Sequence, residues 1–135
     1  MEWKREYSVG IEEIDAQHKT LLGHFSKVNA AISGRESWSE THFRIVDLKE
    51  FAEFHFRFED ALMRLYACPE RDDHNAMHGR FLRELEGFER SSLTMTKDDA
   101  VPAFFTRWLI DHIQGDDQAY SRRILGGTPV VASRP

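Results

Sequence analysis

HFRFEDALMRLYACPERDDHNAMH, residues 55–78, is the stretch on which the reading of this chain turns. His55 is followed four places on by Glu59, and His74 four places on by His78. Side chains four apart on an α-helix stack on one face, so each pair can reach a common point. Between the pairs, Cys68-Pro69 ends the helix, because proline drives the residue before it out of helical backbone. The stretch reads as two helices joined by a tight corner, each presenting a polar pair where an apolar stripe would be expected.

Working outward, the helix that contains His55 opens at Ser37-Trp-Ser-Glu40, a candidate capping box, and runs to about Ala67. Its inward seam is Ile45, Leu48, Ala52, His55, Glu59, Leu62 and Tyr66, with steps of three or four throughout. The next helix starts within residues 71–73 and runs to about Arg90, with the seam His74, His78, Phe81, Leu85 and Phe88. Upstream, a helix capped by Asp15 and stopped at Gly34 carries Ile14, His18, Leu21, Phe25, Val28 and Ile32 inward. Downstream of a polar connection at 91–97, a fourth begins near Asp98 with Pro102 in its first turn, where proline is tolerated. Its seam is Val101, Phe105, Trp108 and His112. Gly115 and two aspartates then disturb the pattern before a last short helical stretch to about Leu125.

Four amphipathic helices with short connections predict an all-α, up-down-up-down antiparallel four-helix bundle. Residues 1–125 form this domain, with 1–11 as an N-terminal arm carrying Trp3, Tyr7, Val9 and Ile11 over the bundle surface, and 126–135 as a flexible tail. At roughly 1.5–3 kcal/mol per buried large side chain, the apolar stripes suffice for a domain of this size.

The 135 residues are 41% hydrophobic and 30% charged, with net charge −5. That suits one soluble core and argues against nucleic-acid or anionic-membrane partners. No apolar run approaches the ~18 residues of a membrane span, and the N-terminus lacks the apolar stretch of an export signal. The cytoplasm is the expected compartment. The single cysteine, Cys68, excludes an internal disulfide and a thiolate-rich metal site; it reads as a small apolar residue beside a helix end.

Five of the seven histidines fall on seams: His18, His55, His74, His78 and His112. Glu59 shares their seam. A bundle core should carry leucine there, and a buried carboxylate without a partner costs several kcal/mol. One inward histidine is usually an ordinary hydrogen-bonded core residue. Five with a glutamate, near the middle of four helices, need a common cause, and a metal cluster supplies it. Asp117 follows His112 by five, about 140° off the seam of a straight helix, so the helix must bend or tighten around residues 113–115 for Asp117 to join. Asp116 is the alternative ligand. His24 and His42 lie off the seams and read as solvated.

Imidazole and carboxylate without thiolate suit iron. Seven ligands are too many for one ion. A pair of six-coordinate ions needs about twelve bonds. Five imidazoles, two bridging carboxylates and one oxo or hydroxo bridge supply all but one, leaving a position open to a small ligand.

The stretch from Val9 to Lys19, His55-x3-Glu59, His74-x3-His78 and Trp108-Leu-Ile-Asp-His112-Ile-x3-Asp117 resemble the hemerythrin family in its bacterial single-domain form. The resemblance spans nearly the whole chain apart from the tail. It implies two iron ions: one on His74, His78 and His112, the other on His18 and His55 with the open position, both bridged by Glu59, Asp117 and an oxo or hydroxo group. It also implies an oxygen pocket lined by Phe56, Trp108 and Leu109, which on the residues alone are ordinary core. The implied function is reversible dioxygen binding for carriage, storage or delivery, without an enzymatic reaction. The alternatives are an oxygen or redox sensor, a centre that consumes peroxide or nitric oxide, and iron storage.

Overall fold

The computed structural model describes residues 2–93 and 100–127. The start of the fourth helix near Asp98, the inward place of Val101, most of the 91–97 connection and the tail beyond 127 lie outside what is described. The long helices are α1 (Glu12–Ser33), α2 (Trp38–Leu65), α3 (Arg71–Leu93) and α4 (Ala100–His112). A π-helical turn, Ile113–Asp117, leads from α4 directly into α5 (Gln118–Leu125). The four long helices form the expected up-down-up-down bundle, with α2 packed on both α1 and α3, and α1 on α4. Among the described residues no helix is long and apolar enough to cross a membrane.

Local chemistry sets the helix ends. The Ser37 hydroxyl accepts the Glu40 N–H at 3.3 Å, half of the expected capping box. α1 starts earlier than expected, after Ile11. Asp15 is not its cap: its carboxylate accepts the Val9 N–H at 2.8 Å and the Ser8 hydroxyl at 2.5 Å, tying the arm to the first turn. At the other end Gly34 keeps a right-handed conformation and Arg35 takes the left-handed one, φ 51°. The Glu36 N–H then closes back on the Ala31 carbonyl at 3.0 Å. Ala67 repeats this after α2, φ 51°, with the Cys68 N–H on the Met63 carbonyl at 2.9 Å.

The arm is part of the core rather than a surface cover. Tyr7 and Val9 are buried against it, and the Gln118 amide donates to the Glu6 and Ser8 carbonyls at 3.2 and 3.3 Å. The main core joins Ile14, Leu21 and Phe25 of α1, Ile45 and Leu48 of α2, Phe81 and Leu85 of α3, and Phe105 and Leu109 of α4. A second, smaller cluster of Met63, Cys68, Tyr120 and Ile124 closes one end of the bundle. Cys68 is buried there, and burial pushes its thiol above the ordinary range. His24 is not solvated as expected. It is half-buried against Phe51, ring centroids 5.4 Å apart, and burial lowers its pKa.

Candidate metal centre

Antiparallel packing brings the beginning of α1, the end of α2, the beginning of α3 and the end of α4 to the same level. His18, His55, Glu59, His74, His78, His112 and Asp117 all meet there, each no more than 3% exposed. The meeting point is not at the middle of the helices. It lies toward one end, between the main core and the Tyr120 cluster. Asp117 arrives because the helix widens into a π turn at Ile113–Asp117 rather than bending or tightening; such a turn lets positions five apart share a face. Gly115 is not a steric requirement for it. Its backbone is outside the left-handed region, and a Cβ there would meet nothing within 4 Å. Gly115→Ala should keep its metal and gain about 0.5–1 kcal/mol in a denaturant melt; lost metal would show that backbone freedom at 115 matters.

All five imidazoles point Nε2 inward. Glu59 directs Oε1 at His55 Nε2 and Oε2 at His74 Nε2, the latter at 3.2 Å. Asp117 directs Oδ2 at His18 Nε2 at 3.1 Å, and Oδ1 at His74 and His112 Nε2 at 3.0 and 3.1 Å. The donors fall into two groups, Glu59, His74, His78, His112 and Asp117 in one, His18, His55, Glu59 and Asp117 in the other. Donor atoms within each group lie within 4.8 Å of one another.

The donor set fits metal ions better than it fits hydrogen bonding. His18 Nε2, Glu59 Oε1 and both Asp117 oxygens are buried without a hydrogen bond, despite these short approaches. His78 and His112 oppose the same ring nitrogen, Nε2 to Nε2, at 2.9 Å; one proton at most can sit between them. Buried polar atoms left unpaired are costly. Cations among them would satisfy the set, and with no cysteine among the donors the site suits iron or another imidazole- and carboxylate-binding metal.

Burial and mutual repulsion raise the two carboxyls, yet the surrounding imidazoles outweigh both and hold Glu59 and Asp117 below the ordinary carboxylate range. Burial lowers His74 and His112, but Asp117 and its acidic neighbours raise them to about 9 and about 10. Burial takes His78 down to about 3. In the metal-free chain, then, protons on His74 and His112 stand in for cations, and metal must displace them.

Two residues outside the seven ligands orient them, and the sequence marked only the second. Gln17 Oε1 meets His55 Nδ1 at 2.6 Å. Asp116, weighed above as a ligand, instead meets His112 Nδ1 at 3.0 Å from the outside. Each fixes the ring so that Nε2 faces the centre. Gln17→Ala should weaken metal binding to the His18–His55 group by about 10–100-fold in a competition titration, leaving the other group unchanged. An equal loss at both groups would contradict this. A third polar group, the Tyr120 hydroxyl, is fully buried without a hydrogen bond, its ring 5.1 Å from that of His74.

Two of the apolar residues singled out above, Phe56 and Trp108, lie beside the same centre. Phe56 stacks on His78 with centroids 3.8 Å apart and also lies 5.8 Å from His55. Trp108 stacks on Phe81 and on His112, at 4.2 and 4.6 Å. Trp108 is only partly buried, whereas Leu109 is 2% exposed, so the α4 seam passes through Leu109.

Comparison with known proteins adds sequence and fold relationships. The family model described as hemerythrin HHE cation binding domain matches residues 9–124. The chain is 28% identical over 125 residues to a bacteriohemerythrin of Stenotrophomonas maltophilia, covering 90% of this chain and 80% of that one. It is 30% identical over 118 residues to a hemerythrin-like protein of Naegleria gruberi, covering 87% and 88%. A crystal structure of a hemerythrin leucine-to-tyrosine variant superposes with a TM-score of 0.83 at 21% identity, covering 92% of this chain and 96% of that one.

Proposed function

The chain belongs to the hemerythrin family, and from that premise we propose that it holds a non-haem pair of iron ions and binds dioxygen reversibly at one of them, as a carrier, store or delivery protein. The supporting observation is the way the two acids divide their oxygens. Glu59 gives one oxygen to each histidine group, and so does Asp117. A carboxylate placed like this could serve an ion in each group at once. His74, His78 and His112 would hold one iron, and His18 and His55 the other, which keeps the open position; an oxo or hydroxo group would complete the bridge.

When bound, the two ferrous ions supply the two electrons that dioxygen draws on. The protein's own contribution is neutralisation, orientation and exclusion of water. Glu59 and Asp117 provide two negative charges in a buried site, and the five neutral imidazoles add none, so electron loss beyond the ferric level is disfavoured. Gln17 and Asp116 hold two of the rings in place. Phe56, Trp108 and Leu109 wall the site and keep out water and anions that would otherwise displace the bound gas.

The test is anaerobic loading with ferrous iron, then cycles of air and argon followed by visible absorption. About two irons per chain and a band that appears in air and fades under argon over several cycles are expected. Irreversible oxidation on the first exposure to air would remove the carrier reading.

A further inference from the structure

The bundle uses the inner face of α2; its outer face presents an ordered pattern of its own. Phe43, Asp47, Glu50, Phe54, Arg57 and Ala61 are all exposed and follow one another in alternating steps of four and three. That is the seam spacing of a coiled coil, here turned to the outside. Phe43 and Phe54 are 67% and 47% exposed, unusual for aromatic rings on a helix. The ring of Phe54 is flanked by Phe51 and Phe58, with ring centroids 5.7 and 6.5 Å away. Charge is divided along the stripe, acidic in its first half and basic in its second. Among the described residues Asp47, Glu50 and Arg57 enter no ion pair.

We propose that this face binds the same face of a second copy of the chain, α2 antiparallel to α2 about a two-fold axis level with Ala52. In that register Asp47 opposes Arg57 of the other copy, Phe43 opposes Ala61, and Glu50 lies against Phe54. Every layer then pairs opposite charges, a large with a small side chain, or an acid with an aromatic edge. One step further out, Glu40 opposes Arg64, which already pairs with Asp60 at 3.3 Å and so contributes least. The parallel alternative would set Asp47, Glu50 and Arg57 each against its own copy, and like charges in direct opposition are disfavoured. Sliding the antiparallel pair by one heptad would place Asp47 against Glu50 in one direction; in the other it would pair Asp47 with Arg64 and Phe54 with Arg57 but carry Phe43 past the end of the opposing helix at Leu65. The charge order thus selects the antiparallel orientation, and seating Phe43 against Ala61 favours the register centred on Ala52. The proposal does not depend on the metal centre.

Sedimentation velocity of the full metal-loaded chain over a concentration series tests it. The unaltered chain should dimerise. Arg57→Asp alone and Asp47→Arg alone should each weaken the dimer at least about tenfold, because each reversal acts twice across the two-fold axis. The combined variant, D47R with R57D, should recover most of the loss, since its layers again pair opposites. Recovery excludes misfolding as the cause of the single losses. A chain that stays monomeric at every concentration leaves this face to solvent or to another partner and overturns the proposal. So does a dimer that both single reversals leave intact, or a combined variant as weak as the singles.

Discussion

Glu59→Gln is expected to empty both ion positions at once, taking bound iron from about two per chain to near zero. Glu59 and Asp117 are the only residues common to both donor groups. A glutamine would keep the size of the side chain but lose the charge and one of the two ligating oxygens. Among the described residues, Asp117 would then be the only ligating carboxylate left for two dications in a site closed to water. The substitution should leave the bundle folded, because the metal-free site already carries unpaired polar atoms and the apolar core lies beside it. Iron per chain after anaerobic loading, with circular dichroism to confirm helicity, is the measurement. A variant that still holds two irons would show that Glu59 is not shared.

His78→Ala should behave differently, and the contrast is the informative part. His78 belongs to one donor group alone, so about one iron should be lost and the His18–His55 side should stay filled. Stability should fall even without metal. The ring is 3% exposed and stacks on Phe56 within 9° of parallel, so truncation leaves a cavity costing about 2–4 kcal/mol. It also removes the ring opposite His112 Nε2, which keeps only Asp117 Oδ1, at 3.1 Å, as a near neighbour among the described ligands. With metal present the loss should be larger, because an ion that binds only the folded chain adds to its stability. Urea melts of the metal-free and loaded proteins separate the two effects. Loss of both irons from His78→Ala would mean that the groups are not independent halves.

The helices and their inward faces were legible because burial enforces the three-and-four spacing, and nothing in this chain competes with it. The five inward histidines were legible for the same reason: each occupies a place where the spacing demands leucine. Their level in the bundle was harder to read. His18 and His74 lie early in their helices and His55 and His112 late, which places the centre toward one end once the helices alternate in direction.

Other features depended on geometry that spacing does not carry. A five-residue step from His112 to Asp117 shows that something must give; tightening to about 120° per residue would still leave the pair about 120° apart, and only widening brings them toward one face. The backbone takes the wide turn, and Asp116 lies within reach of the outer nitrogen of His112. Gln17 stands next to His18 in sequence, yet it serves His55 on another helix. Only packing of α1 against α2 reveals that pairing. At the helix ends, Asp15 had the right chemistry for a cap, but the arm already occupies its carboxylate. Arg35 rather than Gly34 turns left-handed because the closing hydrogen bond reaches Ala31 from Glu36.

Iron-edge X-ray absorption on the loaded chain addresses the central claim, that side chains from all four helices hold two ions as one bridged pair. The account predicts nitrogen and oxygen neighbours only, no sulfur, and a metal–metal shell at roughly 3.5 Å. Iron present without that shell, or bound through Cys68, would contradict it.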